Sequence, residues 1–179
     1  MHPKSVLIIS DMYGLKSEYG RDDNYIFATA DVFEKLGFVV KIYSSLKLAK
    51  ISAENNIKNI HKLFVSFGIK NAIESLGSEK DSFDIGIGFS IGGTILWKSC
   101  QEKKLSLQKL ICISSTRLRR ETKKINIPTI TLFGEKDHYA PSLEQMNDLG
   151  AICKIIPEFD HDFYRNPKFI AQIFEICVI

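Results

Sequence analysis

The sequence predicts an α/β fold, a three-layer αβα sandwich on about six mainly parallel strands, and three observations carry that reading. Short β-branched apolar runs alternate with segments of helical length. The runs are mostly apolar on both faces, as strands covered on both sides are, rather than apolar at every second residue. Turn or polar residues separate each run from the next, the pattern of strands joined by crossover helices.

Taken in order, the first strand is read over residues 5–10, around Val6-Leu7-Ile8-Ile9, and a helix over 23–36 leads to a second strand at 38–43. Residues 55–76 carry Ile57, Ile60, Leu63, Phe64 and Phe67 at 3- and 4-residue steps, which aligns them on one face of a helix. The third strand, 83–89, runs into a helix over 91–102. Strands at 109–114, 127–133 and 151–156 follow, with a short helix at 143–149 before the last. Pro167 suits a first helical position, where its missing N–H is not needed, and it opens a helix to residue 177 with Phe169, Ile170, Ile173 and Phe174 on its apolar stripe.

At 179 residues, with no linker, repeat or low-complexity tract, the chain is expected to form a single domain over 1–179. An apolar share of 45% is enough to build a core and excludes intrinsic disorder. The net charge of +3 is too small to argue for nucleic acid or a membrane as partner. Apolar runs of a few residues fall short of the about 18 that a spanning helix needs. The start, Met1-His2-Pro3-Lys4, precedes an apolar segment too short for a signal-peptide core, so a cytoplasmic protein is expected. Cys100, Cys112, Cys153 and Cys177 stand far apart without a C-x-x-C and read as small buried hydrophobes; no metal site, redox pair or disulfide is expected. The basic stretch Arg117, Arg119, Arg120, Lys123 and Lys124 reads first as a solvated loop face.

Ligands of an open parallel sheet bind beyond the carboxyl ends of its strands. There the sequence sets Asp11-Met12-Tyr13-Gly14, Ser90-Ile91-Gly92-Gly93, Gly134-Glu135-Lys136-Asp137-His138 and Asp160-His161-Asp162. Gly88-Phe89-Ser90-Ile91-Gly92 is a G-x-S-x-G segment between a strand and a helix, a context in which the serine hydroxyl projects from a sharp turn. A plain tight turn is the competing reading. A Walker loop is excluded because Gly92-Gly93 is followed by Thr94-Ile95, and a dinucleotide fingerprint because Ile91 stands three after Gly88.

A serine nucleophile needs a base, and the base needs an acid to orient it. Of the four histidines, His2 is terminal, His61 lies mid-helix beside Lys62 and reads as surface, and His138 follows Asp137 on a loop. His161, just past the last strand, is the candidate base. Asp137 is the candidate acid, with Glu135, Asp160 and Asp162 as alternatives.

In this order, Ser90, Asp137 and His161 make the chain resemble the α/β-hydrolase superfamily, and most closely its dienelactone-hydrolase-like branch, here with a serine nucleophile. The stretches that carry the resemblance are Leu7-Ile8-Ile9-Ser10-Asp11-Met12-Tyr13-Gly14, Gly88-Phe89-Ser90-Ile91-Gly92-Gly93, Pro128 through Asp137, and His161-Asp162-Phe163-Tyr164-Arg165. The resemblance implies an α/β-hydrolase core, and because the chain departs from the superfamily's pattern by starting at the first shared strand, a minimal core without the leading antiparallel strands or a lid domain is expected. It implies hydrolysis of a small ester or thioester through an acyl-enzyme, without a cofactor. It makes the backbone N–H groups of Met12 and Ile91 the oxyanion hole.

The same resemblance sets Arg165 where dienelactone hydrolases place an arginine that engages a substrate carboxylate, and Asp11 where they place a glutamate near the nucleophile. Serine replaces that enzyme's cysteine, and Asp162 replaces a usually small residue. The loops are expected to bring Arg117 and Arg165 to one rim as contacts for an acidic substrate, with Asp11 and Tyr13 as further substrate contacts. Pairing of Arg165 with Asp11, Asp160 or Asp162 is the competing expectation. Two other classes stay open: a catalytically silent member of the fold that binds a small molecule or a protein, and a flavodoxin-like nucleotide or redox binder. The oligomeric state is left open.

Overall fold

A computed structural model describes residues 4–15, 24–52, 57–78 and 82–178. Its strands are β1 (Ser5–Ile9), β2 (Val39–Tyr43), β3 (Ser82–Phe89), β4 (Ser106–Ile113), β5 (Thr129–Gly134) and β6 (Ile152–Ile156). Its α-helices are α1 (Asn24–Lys35), α2 (Ser45–Ala49), α3 (Ile57–Leu63), α4 (Ile69–Gly77), α5 (Ile91–Gln101), α6 (Leu143–Asp148) and α7 (Pro167–Val178). The strands form one sheet in the order β2-β1-β3-β4-β5-β6, and every adjacent pair is parallel.

The order reverses between β1 and β3, where Ile9 lies opposite Gly88. Chains leaving these two strands turn to opposite faces of the sheet, which opens a crevice at their carboxyl ends. Alternation along β1 divides the core in two. Leu7 and Ile9 pack with Leu46, Phe64, Ile73, Ile95 and Trp97 from α2 through α5, while Val6 and Ile8 pack with Ile26 and Phe33 of α1 and Phe169 and Ile173 of α7. Both faces are therefore covered, which is why the strands read as continuous apolar runs. No helix among the described residues is long and apolar enough to cross a membrane.

The helix expected over 55–76 is interrupted by a π turn, Phe64–Gly68, between α3 and α4. A π turn carries one residue more than an α turn, so the apolar stripe slips. Phe64 stays buried at 1% exposure, but the next inward position is Gly68, and Phe67 turns outward at 40%. A side chain at position 68 would press on Ile51, whose Cδ1 would lie 2.8 Å from the added Cβ and would have to move. Helix α2 and the 3-10 turns at Thr116–Arg120 and Phe163–Arg165 carry too few residues for a period to be read. The expected helix starts at Asp23 and Asn55, and the side chains of Ile57, Phe174 and Cys177, lie outside what is described.

Of the cysteines, Cys112 is buried as expected, whereas Cys100 and Cys153 are half-buried. Cys100 sits near the end of α5, and Cys153 lies on β6, an edge strand with one side unpaired. All three are free thiols, and burial pushes Cys100 up to about 12 and raises the other two, so they are poor nucleophiles.

Candidate active site

Strand β3 ends at Phe89 and α5 begins at Ile91, leaving one residue, Ser90, to make the reversal. It does so at φ 50° and ψ −113°, a left-handed conformation that is costly for any residue with a Cβ. Its N–H donates to the Ile113 carbonyl at 2.7 Å, which ties the turn to β4. The flanking glycines are required by space. A Cβ at Gly88 would lie 2.3 Å from Gly93 N, and one at Gly92 would lie 2.5 Å from the Ser10 carbonyl oxygen.

The structure brings Ser90, His161 and Asp137 together from three strand ends. Ser90 Oγ lies 3.2 Å from His161 Nε2, and His161 Nδ1 lies 2.7 Å from Asp137 Oδ2. With Nδ1 donating to the carboxylate, Nε2 is left as the acceptor for the serine hydroxyl. Asp137, only 7% exposed, is held through its other oxygen by the Tyr139 N–H at 3.0 Å. Two of the three alternative acids are engaged elsewhere: Glu135 accepts the Glu158 N–H at 2.9 Å, and Asp160 accepts the Asp162 N–H at 3.2 Å.

Hydrogen bonds between loops fix this geometry. The N–H groups of Glu135 and Lys136 donate to the Ile156 and Phe159 carbonyls at 3.0 and 2.7 Å. Ser114 Oγ donates to the His161 carbonyl at 2.6 Å, a support that no motif in the sequence announced. Burial by itself would raise the Asp137 pKa, but the His161 hydrogen bond, the Tyr139 N–H and the nearby positive charges outweigh it, so the carboxyl titrates below its ordinary range. Burial would lower His161, but the hydrogen bond and charge of Asp137, with Asp162 and Asp11 behind it, reverse the effect and raise its pKa.

A cavity of about 50 Å³ opens beside Ser90. Met12, just past β1, and Ile91, at the start of α5, line it. The Ile91 N–H is one of those a helix start leaves without an intrahelical partner. Thr94, one turn along α5, is fully buried, and its Oγ1 has no hydrogen-bond partner among the described residues. Phe64 of the π turn, Thr116, His61 and Arg117 complete the lining.

Two of these wall residues correct the sequence reading. His61 is exposed, as expected of a surface histidine, but α3 sets it at the mouth of the cavity; burial first, and then the charges of Arg117 and Arg119, lower its pKa. The basic stretch is not a featureless loop. Its first residues form a 3-10 turn that delivers Arg117 to the cavity.

Arg117 lines the cavity at Ser90 and Arg165 does not. Arg165 is ion-paired through Nη2 to Asp11 Oδ2, and its guanidinium lies over the rings of Tyr25 and Tyr164 at 4.8 and 5.4 Å. Asp11, 2% exposed, also accepts the Tyr13 N–H at 3.0 Å and the Tyr164 hydroxyl at 3.1 Å. Burial pushes the Asp11 carboxyl above its ordinary range, and these partners pull it part of the way back. A carboxylate this deep requires a countercharge, which Arg165 provides, so neither residue lines the cavity; nor does Tyr13, whose N–H serves Asp11. Arg165→Met is therefore expected to cost about 3 kcal/mol of stability by urea unfolding at neutral pH, because it leaves Asp11 buried and unpaired. A loss below about 0.5 kcal/mol would mean that the pair holds nothing in place.

The sequence matches no protein-family model and no curated protein. Similar solved structures include a dienelactone hydrolase from Anabaena variabilis, with a TM-score of 0.68 at 16% identity over 97% of this chain and 83% of that one. An α/β serine hydrolase homologue from Coxiella burnetii aligns with a TM-score of 0.63 at 14% identity over 98% and 83%. An α/β serine hydrolase without a lid from Xanthomonas campestris aligns with a TM-score of 0.59 at 15% identity over 98% and 82%. The chain thus has the α/β-hydrolase fold, in a minimal form with a six-stranded, all-parallel sheet and no lid inserted among the described residues.

Proposed function

We propose that this protein is a serine hydrolase of small esters or thioesters that works through an acyl-enzyme. The observation that carries this reading is the hydrogen-bonded relay from Ser90 through His161 to Asp137, with the serine held in a left-handed elbow beside a cavity. Ser90 Oγ attacks the carbonyl carbon as its proton passes to His161 Nε2. The N–H groups of Met12 and Ile91 take the negative charge that develops on the carbonyl oxygen. His161 then returns the proton to the departing alcohol or thiol. Water, activated by the same nitrogen, releases the acid and restores the serine. Hydrolase neighbours of the same fold support the reading.

The cavity of about 50 Å³ beside Ser90 is small, which suits a short acyl chain. Across a series of p-nitrophenyl esters, kcat/KM is expected to be highest for acetate or propionate and to fall at least about tenfold by octanoate, the equivalent of about 1.4 kcal/mol. Turnover of no ester in the series would overturn the proposal.

The rate should rise with pH. Protonated His161 cannot accept the serine proton, so activity appears as the imidazole loses its charge, and the raised pKa moves that limb above the ordinary midpoint of about 6.5. A kcat/KM profile from about pH 5 to 9 tests this; a half-maximal point below about pH 6 would contradict the assignment.

A further inference from the structure

A wider groove of about 470 Å³ adjoins the cavity at Ser90 and shares His61 and Arg117 with it. Lys62, Val65, Ser66 and Arg120 line only the groove, and among the described residues no carboxylate lines it. Two guanidiniums and an ammonium thus stand together at one end of the site. Among the described residues none of them has an ion-pair partner: Glu121, the nearby acid, is paired with Lys98 at 2.8 Å. Arg119 is occupied differently, donating through Nη1 to the Thr116 carbonyl at 2.7 Å and lying over the Tyr139 ring. Burial lowers the Arg117 pKa, and repulsion from Arg120 and Arg119 lowers it further, against a partial offset from Glu121. The contrast with Arg165, whose charge is answered by Asp11, is direct. Charges gathered without counterions among the described residues favour an incoming anion.

The two volumes divide the substrate. The inner cavity takes a few atoms, beside Ser90 and the N–H groups of Met12 and Ile91. The groove is several times larger, and its two guanidiniums and one ammonium suit a group with many anionic oxygens better than a lone carboxylate, for which one arginine fork suffices. Resting on the hydrolase reading above, we propose that the substrate is a short-chain acyl ester or thioester whose leaving alcohol or thiol bears phosphate, with Arg117 nearest the reacting carbonyl and Lys62 and Arg120 farther along the groove.

The test compares acetyl-coenzyme A with the acetyl thioester of N-acetylcysteamine, which has the same reacting bond and no phosphate. At low ionic strength kcat/KM should favour the phosphorylated thioester by at least about tenfold, and raising salt to about 0.5 M should shrink the advantage. In the double variant Lys62→Gln, Arg120→Gln the ratio of the two rates should fall by about tenfold. Coenzyme A titrated calorimetrically into Ser90→Ala protein should bind, and should bind about tenfold more weakly when the double variant is added. Equal turnover of the two thioesters, or coenzyme A binding that ignores the double variant, overturns the inference while turnover of p-nitrophenyl acetate leaves the hydrolase reading intact. A preference for a carboxylate on the acyl group instead, seen with p-nitrophenyl hemisuccinate against the acetate, also overturns it. Turnover of none of these substrates overturns the hydrolase reading and this inference with it.

Discussion

Ser90→Ala should lower the hydrolysis of an activated ester on the order of a million-fold, leaving only what binding and the oxyanion donors contribute. The loss is this large because the residues of a relay act as a unit. Without Oγ there is no acyl-enzyme, and His161 has nothing to deprotonate except water. His161→Ala should lose a comparable factor for the reciprocal reason. Alanine carries the same Cβ as serine through the turn at φ 50°, so stability should change by less than about 0.5 kcal/mol. Circular dichroism and urea unfolding beside the rate measurement separate lost chemistry from lost fold. Activity within tenfold of wild type would reduce the elbow to a tight turn.

Asp137→Asn should lose about ten-thousand-fold, less than the nucleophile or the base, because the acid orients and never reacts. The carboxylate accepts from His161 Nδ1 at 2.7 Å and so leaves Nε2 bare toward the serine. An amide can turn its NH2 to Nδ1 instead, which moves the ring proton to Nε2 and blocks proton transfer. The substitution also removes the charge that raises the His161 pKa, so the acid limb of any residual activity should move to lower pH. Asp160→Asn and Asp162→Asn should stay within about tenfold of wild type. A silent Asp137→Asn beside a crippling change at 160 or 162 would reassign the acid.

Much of the frame was legible because local sterics and patterning dictate it. A strand running into a helix through Gly88-Phe89-Ser90-Ile91-Gly92 leaves few backbone paths, and the β-branched runs mark where strands end. The walls of the site were not legible. Thr94 reads as an ordinary helical residue, and only packing shows its hydroxyl buried without a partner beside Ser90. His61 of α3 and Arg117 of the turn after β4 meet at the cavity only in the folded chain, which no spacing encodes. The π turn inserts a single residue into an apolar stripe, and the stripe looks continuous until Phe67 is seen outside. Arg165 and Asp11 are 154 positions apart, and their pairing was one of several that charge alone allowed.

The central claim is that Ser90 Oγ is an activated nucleophile. Treating the protein with a fluorophosphonate and mapping the adduct by peptide mass spectrometry tests it most directly, because phosphonylation requires the base as well as the hydroxyl. A single stoichiometric adduct on Ser90 is expected, lost in Ser90→Ala and strongly slowed in His161→Ala. No adduct, or one on Ser114 or Ser115 with Ser90 unmodified, would contradict it.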